Sequence, residues 1–194
     1  MLGTAWVVAL IASARLLLSY ESTPGEVGSV PSGWPRTSQI PAPTDEAVLV
    51  MVAHPRCPCT RASMAELKKI MTHVQGKLDA YVLFLKPSGS GSDWDDTTLF
   101  RMANGIPGVK VISDIDGAEA QRFGAKTSGH TLLFAANGRL LFSGGITELR
   151  GHEGDNLGEE AIISVVNTNV RQRERTSVFG CSLFGENTGP ECQK

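Results

Sequence analysis

This chain of 194 residues contains few cysteines and little concentrated charge. Four cysteines are too few for a disulfide scaffold, and a chain of this length buries a core that needs none. The net charge is −2, and apart from a small arginine cluster at 171–175 there is no block of like charges, so nothing predicts a nucleic acid as partner. The 41% apolar and 20% charged residues are typical of one globular domain with appendages.

The first residues lack lysine and arginine, although a hydrophobic run follows them. Residues 5–20 (AWVVALIASARLLLSY) carry a single charge, Arg15. The run is slightly shorter than the roughly 20 apolar residues of a comfortable membrane span, and a secretory signal usually begins with basic residues. We therefore predict that residues 1–20 are an uncleaved hydrophobic anchor. Residues 12–14 (ASA) resemble a cleavage site, which leaves a cleaved signal as the alternative.

Basic residues are also absent immediately after the run. The first charges there are Glu21 and Glu26, so the positive-inside rule does not hold this side of the chain in the cytoplasm. We predict a protein of the bacterial inner membrane with its soluble domain in the periplasm. Residues 21–44 are rich in proline, glycine and serine, a composition that buries little surface. They are predicted to be a linker, either a stalk or an arm that wraps the domain and is pinned to it by Trp34.

Residues 45–172 carry the strand and helix patterns of one domain. The valine-rich run 47–53 is continuously apolar, which is typical of a strand buried on both faces. Apolar residues then recur at helical spacing, which predicts an amphipathic helix over 58–75. The other predicted elements are strands at 79–85 and 109–112, helices at 95–103, 119–123 and 157–172, and a hairpin of strands 131–135 and 139–143 around Asn137-Gly138. This order predicts an α/β domain of three layers, with a mixed central sheet flanked by helices.

Two of the four cysteines lie in the turn HPRCPCT between the first strand and its helix. A CxC pair closes almost no loop, so it is a poor structural staple and a reasonable redox or metal site. Pro58 suits the first position of a helix, which would make Cys57 the N-cap, where the helix dipole favours a thiolate. Arg56 and His54 are expected to add positive charge. Cys59 is near enough in sequence to bridge to Cys57 with some backbone strain.

The segment CPCTRASMAEL resembles the active-site helix of bacterial redoxins of the thiol–disulfide interchange type, members of the thioredoxin-like superfamily whose usual form is CPPCRAEMPAL. Cys57 matches the nucleophilic cysteine of that family. Residues 114–145 resemble its second half, where an Asp-Gly turn, a short helix and a threonine-led strand precede a hairpin. The segments HPRCPCTRAS, TSGH and RGHEGDN also resemble the RedB-like branch of the superfamily. The resemblance covers about residues 45–170 and implies a thioredoxin-like fold. The other matching positions are Arg61, Ala62, Met64 and Leu67.

Two positions depart from the family pattern, and the resemblance places both at the active site. Thr60 stands where the family has its resolving cysteine, while Cys59 comes one residue earlier. His130 stands where the family has a cis-proline before its fourth strand. Thr60 and His130 are therefore candidates for contact with the substrate or the thiolate. His130 also suits a metal ligand or a base, or it simply fills the place of the proline.

The resemblance also implies that the loop ITELRGHEGDN, after the hairpin, lies beside Cys57. Arg150 and His152 in this loop are candidates to hold the thiolate or a substrate anion; the plainer role of the loop is to cap the last helix through Asp155 or Asn156.

The C-terminal tail, residues 173–194, contains the other two cysteines, Cys181 and Cys192. Either they pair with each other as a structural bridge, or Cys181 folds back as a resolving thiol. The residues leave both arrangements open.

The leading functional prediction is a membrane-tethered thiol–disulfide oxidoreductase that acts on protein thiols or disulfides without a cofactor, with Cys57 attacking and Cys59 resolving. The alternative is a copper-binding chaperone or assembly factor on the same fold, in which Cys57 and Cys59 hold Cu(I) with His54, His130 or His152. A peroxidase is disfavoured, because the peroxide-reducing branch of the family needs a threonine where His54 stands. The two reactive-looking cysteines argue against a non-catalytic binding module.

Overall fold

The structure is a computed structural model that describes residues 2–185. Cys192, and with it the predicted pairing of Cys192 with Cys181, lies outside the described residues.

The elements follow the predicted order and most of the predicted boundaries. The central strand β1 lies where the apolar run predicts it, while β3 continues three residues beyond its predicted end at 112. The last helix ends earlier than predicted, because Asn169 takes a left-handed conformation (φ 56°) and closes it. The elements are α1 (Leu2–Ser22), β1 (Ala47–Ala53), α2 (Thr60–Val74), β2 (Leu78–Lys86), α3 (Thr98–Asn104), β3 (Val109–Ile115), α4 (Ala118–Arg122), β4 (His130–Phe134), β5 (Leu140–Gly144) and α5 (Leu157–Thr168).

The five strands form one mixed sheet in the order β3-β2-β1-β4-β5. Strand β1 lies in the middle, parallel to β2 and antiparallel to β4. The β2–β3 pair is parallel and the β4–β5 pair antiparallel, as the hairpin pattern predicts. Because β1 is central, its side chains are buried on both faces of the sheet. The carboxyl end of this strand leads directly into the cysteine turn.

The two faces of the sheet are covered by different elements. Helices α2, α3 and α5 pack on the face that carries Leu49 and Met51. The opposite face, which carries Val50, is covered by α4 and by segments from both ends of the chain. The fold therefore has the three layers that the sequence predicts.

Residues 23–46, most of the predicted linker, lie along the domain as an arm. Gly25 N–H donates to the Val178 carbonyl at 2.8 Å, and Trp34 N–H donates to the Gly138 carbonyl at 2.7 Å. The Trp34 ring packs edge-on against Phe123 and Phe134, each at 5.1 Å between ring centroids. Trp34 thus fixes the arm to the face covered by α4.

The described part of the tail, residues 173–185, also lies against the domain. Ser143 N–H donates to the Glu174 carbonyl at 2.9 Å, and Ser128 N–H donates to the Cys181 carbonyl at 2.8 Å. Leu183 is 3% exposed and belongs to the core under α4. This path carries Cys181 to the end of β1.

Helix α1 projects from the domain. Over Gly3–Ser22 it is long and apolar enough to cross a membrane, with a mean hydropathy of 1.4 and none of that window buried. A signal sequence has the same properties.

Candidate functional site

The cysteine turn is built by backbone hydrogen bonds at the end of β1. Cys57 N–H donates to the His54 carbonyl at 3.2 Å, and Thr60 N–H donates to the Cys57 carbonyl at 3.1 Å. Helix α2 begins at Thr60 with Cys59 as its N-cap, so the predicted start at 58 and the predicted N-cap at Cys57 are wrong. Pro58 and Cys59 instead lie in a turn, and the carbonyls of Cys57 and Pro58 accept the first N–H groups of the helix, those of Thr60 and Arg61.

A third sulfur joins the turn from the tail. The Cys57 thiol contacts the Cys181 sulfur at 2.7 Å, across 124 residues of sequence. The sulfur atoms of Cys57, Cys59 and Cys181 all lie within 4.8 Å of one another. We call these three residues the thiol cluster.

The three thiols differ in their exposure to solvent. Cys57 is 0% exposed and Cys59 is 7% exposed, so both thiols are buried. Cys181 is only partly buried and is the most accessible of the three. An external molecule therefore meets Cys181 first.

The environment of Cys59 disfavours its thiolate. A hydrogen bond with Cys181 lowers the pKa of Cys59, but a hydrogen bond with Cys57, burial and the nearby charge of Cys57 together outweigh it, and the pKa is raised above its ordinary value. The positive charge of Arg150 opposes this increase. Cys59 is therefore protonated at neutral pH.

The side chain of Thr60 stabilises the cysteine turn by a hydrogen bond with Ser128. It is 1% exposed, and its Oγ1 lies 2.7 Å from Ser128 Oγ, which also accepts the N–H of His54 at 2.8 Å. These contacts connect the cysteine turn to the loop before β4. Sequence reasoning did not single out Ser128 as a site residue, although it lies within the motif TSGH.

His54 and Arg56 lie on the flank of the turn. His54 is 3% exposed, and its Nδ1 accepts the N–H of Arg56 at 3.2 Å. Burial lowers the pKa of His54, with Cys57 opposing and Arg56 adding to the decrease, so the ring is neutral at neutral pH. The Arg56 guanidinium lies over the Trp94 ring, 4.3 Å from its centroid.

His130 is the first residue of β4 and is completely buried. Its Nε2 lies 2.9 Å from Ser143 Oγ, and its Nδ1 has no hydrogen-bond partner among residues 2–185. Burial lowers the pKa of His130 to about 4, so the ring is neutral in the folded protein.

The loop after β5 reaches the thiol cluster through Arg150. The Arg150 guanidinium donates to the Gly180 carbonyl, next to Cys181, and to the Thr23 carbonyl at 3.1 Å. It also lies over the Tyr20 ring, 5.0 Å from its centroid. Arg150 thus joins the tail, the arm and the end of α1.

The rest of this loop has a structural role. His152 is exposed at its outer edge. The Asn156 side chain caps α5 by accepting the N–H of Glu159 at 2.9 Å. Of the two residues predicted to cap this helix, Asp155 and Asn156, it is therefore Asn156 that does so. The buried carboxylate of Glu66, on α2, accepts the N–H of Gly154 at 2.8 Å and holds the loop against the helix.

The thiol cluster is also the set of atoms that suits a metal ion. Among residues 2–185, the thiol cluster is the group of three potential metal ligands whose donor atoms lie close enough together to share one ion. His54, His130 and His152 do not belong to this group. Three sulfurs without imidazole suit a soft ion such as Cu(I).

No protein-family model and no curated protein matches this chain. Solved structures do match it. A hypothetical protein from Sinorhizobium meliloti matches with a TM-score of 0.61 and 17% identity, over 81% of this chain and 97% of the other. An uncharacterized conserved protein from Geobacillus kaustophilus matches with a TM-score of 0.61 and 13% identity, over 85% and 93%. A secreted disulfide oxidoreductase from Mycobacterium tuberculosis matches with a TM-score of 0.45 and 10% identity, over 63% and 81%.

At such low identity the likeness concerns the fold alone. The chain has a thioredoxin-like fold, with a mixed five-stranded sheet and the cysteine turn between its central strand and the helix that follows. The prediction of this fold is confirmed. The assignment to the RedB-like branch stays a prediction.

Proposed function

We propose that the chain is a membrane-tethered thiol–disulfide oxidoreductase whose working part is the Cys57-Pro58-Cys59 turn. The observation that carries this proposal is the thiol cluster, whose three sulfurs lie within 4.8 Å of one another. Exchange passes through a mixed disulfide, which a second nearby thiol must resolve. Cys57 has two such thiols beside it, Cys59 and Cys181. The proposed substrates are thiols or disulfides of other proteins, and the exchange needs no cofactor.

The proposed location is the bacterial inner membrane, with the soluble domain in the periplasm. Helix α1 supports a tether by its length and composition. Disulfides persist in the periplasm, so a disulfide-exchanging site suits that compartment. Carbonate extraction of cells that express the chain provides the test. A tethered chain stays with the membranes at its full mass, whereas a cleaved signal yields a shorter soluble product.

The redox proposal is tested by equilibrating the full chain, in mild detergent, across glutathione buffers. Acid trapping, alkylation and peptide mass spectrometry then report the state of each cysteine. We expect Cys57 to enter an intramolecular disulfide reversibly, at a potential in the range of known exchange proteins, roughly −120 to −270 mV. If all three thiols of the cluster remain open to alkylation in the most oxidising buffer, the chain is not an oxidoreductase.

Cu(I) binding is a second candidate function, and the same cluster favours it. Soft thiolates select Cu(I), and burial of Cys57 and Cys59 would shield the ion from water. The reduced full chain is titrated with Cu(I) against a bathocuproine chelator. We expect one ion per chain, and binding at least about tenfold weaker in Cys181→Ser but not in Cys192→Ser. If the chelator keeps all the copper, the chain is not a copper carrier.

A further inference from the structure

The most deeply buried thiol of the cluster is the one that matches the family nucleophile. In thiol–disulfide exchange the attacking sulfur must reach a sulfur of the disulfide directly, so access limits the rate. Cys57 is 0% exposed, and its sulfur contacts that of the partly exposed Cys181 at 2.7 Å. A disulfide on another protein therefore cannot reach Cys57 in this arrangement, whereas Cys181 is open to it.

The tail that carries Cys181 is firmly attached to the domain. Backbone bonds hold it on both sides, from Ser128 N–H to the Cys181 carbonyl and from Leu183 N–H to the Lys126 carbonyl, each at 2.8 Å. Gly180 packs so closely on Ser128 that a Cβ atom would collide with the Ser128 carbonyl. The Arg150 guanidinium also donates a hydrogen bond to the Gly180 carbonyl. Cys181 is thus a fixed part of the site.

We propose that Cys181 is the thiol that exchanges with the protein partner, and that Cys57 resolves the mixed disulfide from inside. This inference rests on the proposed function and assigns its order of events. It predicts that the first disulfide formed within the chain joins Cys57 to Cys181.

The reduction of a partner disulfide R–S–S–R′ then takes two exchange steps. The Cys181 thiolate attacks one sulfur, the partner S–S bond breaks, and R′–S⁻ leaves and takes a proton from water. The Cys57 thiolate then attacks the Cys181 sulfur, a Cys57–Cys181 bond forms, and R–S⁻ leaves. Two electrons pass from the two cysteines to the partner, whose disulfide becomes a dithiol. The reverse sequence oxidises a partner dithiol.

Cys59 has a later role in this scheme. It is 7% exposed, and its sulfur lies within 4.8 Å of both other sulfurs. After losing its proton it can attack Cys57 and release Cys181, which converts the Cys57–Cys181 bridge into a Cys57–Cys59 bridge without any net transfer of electrons.

The test uses the full chain with Cys192→Ser, so that each reactive thiol belongs to the cluster. The reduced protein is mixed with Ellman's reagent, a small aromatic disulfide, and quenched with acid at successive times. Peptide mass spectrometry identifies the residue that first carries the thionitrobenzoate adduct and the first internal disulfide. We expect the adduct on Cys181, followed by the Cys57–Cys181 bridge.

Two matched variants sharpen this measurement. In Cys181→Ser the reaction is expected to slow at least about tenfold, since the remaining thiols are buried. In Cys59→Ser the rate and the Cys57–Cys181 bridge are expected to persist. Because the order of adducts is read in the parent protein, the result does not depend on how well a variant folds.

Three outcomes separate the inference from the proposed function. A first adduct on Cys57 or Cys59, followed by a Cys57–Cys59 bridge with Cys181 unmodified, overturns the inference and leaves the oxidoreductase intact. Unchanged speed in a folded Cys181→Ser variant overturns it as well. If adducts form but no internal disulfide ever follows, the proposed function itself fails.

Discussion

At the scale of single residues, the two histidines at the end of β1 and the start of β4 are neutral and buried. His54 and His130 both have a lowered pKa because burial disfavours their charged forms. Within residues 2–185, His130 is held by Ser143 through one ring nitrogen, and the other has no partner. With both imidazoles neutral, Arg150 is the cation whose charge acts on Cys59.

His130 should make the folded protein sensitive to mild acid. Its pKa is about 4 in the folded chain and ordinarily 6.5, so only the unfolded chain takes up this proton between those values. The stabilising contribution is complete above pH 6.5 and is lost as the pH falls toward 4. Relative to His130→Gln, which has no such proton to take up, the parent should lose about 3 kcal/mol of unfolding free energy between pH 7 and pH 4. Urea unfolding at several pH values measures this difference. Parallel pH curves for the two proteins would contradict it.

At the scale of elements, periodic patterns predicted most of the fold, and irregular segments did not. The apolar run of β1, the helical spacing of α2 and the Asn137-Gly138 turn each predict a regular element from neighbouring residues alone. The arm and the tail have no such period, and their paths depend on contacts with distant residues. The position of Cys181 therefore stayed open from sequence, because it depends on where the tail pairs with residues 126–128.

The tail can be displaced by a single methyl group. In Gly180→Ala the new Cβ would collide with the Ser128 carbonyl and lie 3.4 Å from Thr127 Cγ2. We expect a loss of about 1–3 kcal/mol of unfolding free energy and faster alkylation of Cys181 by iodoacetamide. Gly33→Ala is the matched control, because its Cβ would meet the Gly138 carbonyl at an ordinary 3.5 Å. Equal alkylation rates in the two variants would show that the tail is not held in this way.

At the scale of the whole molecule, the arm and the tail both lie against one domain. The arm packs on the face covered by α4 through Trp34, and the tail adds Leu183 to the same core. The composition of residues 21–44 indicated little burial, and the segment is indeed mostly exposed or half-buried, but Trp34, the buried Ile40 and backbone hydrogen bonds fix it to the domain. The sequence left the choice between a stalk and a wrapping arm open.

Removal of the Trp34 ring should loosen the arm. Trp34→Ala leaves Phe123 and Phe134 without their edge-on partner, and we expect a loss of about 2–4 kcal/mol of unfolding free energy. Trp6→Ala is the control, because Trp6 is 70% exposed on α1 and makes no contribution to the core. Thermal unfolding of the full chain in detergent compares the two. Equal midpoints would mean that the arm adds nothing to stability.

The contact between Arg150 and Tyr20 places the thiol cluster at the pole of the domain where helix α1 ends. With α1 in a bilayer, that pole faces the lipid headgroups, and the opposite pole faces the open compartment. Encounters then depend on the surface density of partners that diffuse in the same membrane, more than on the bulk concentration of partners in solution. The proposed oxidoreductase and its partner would then meet by a search in two dimensions.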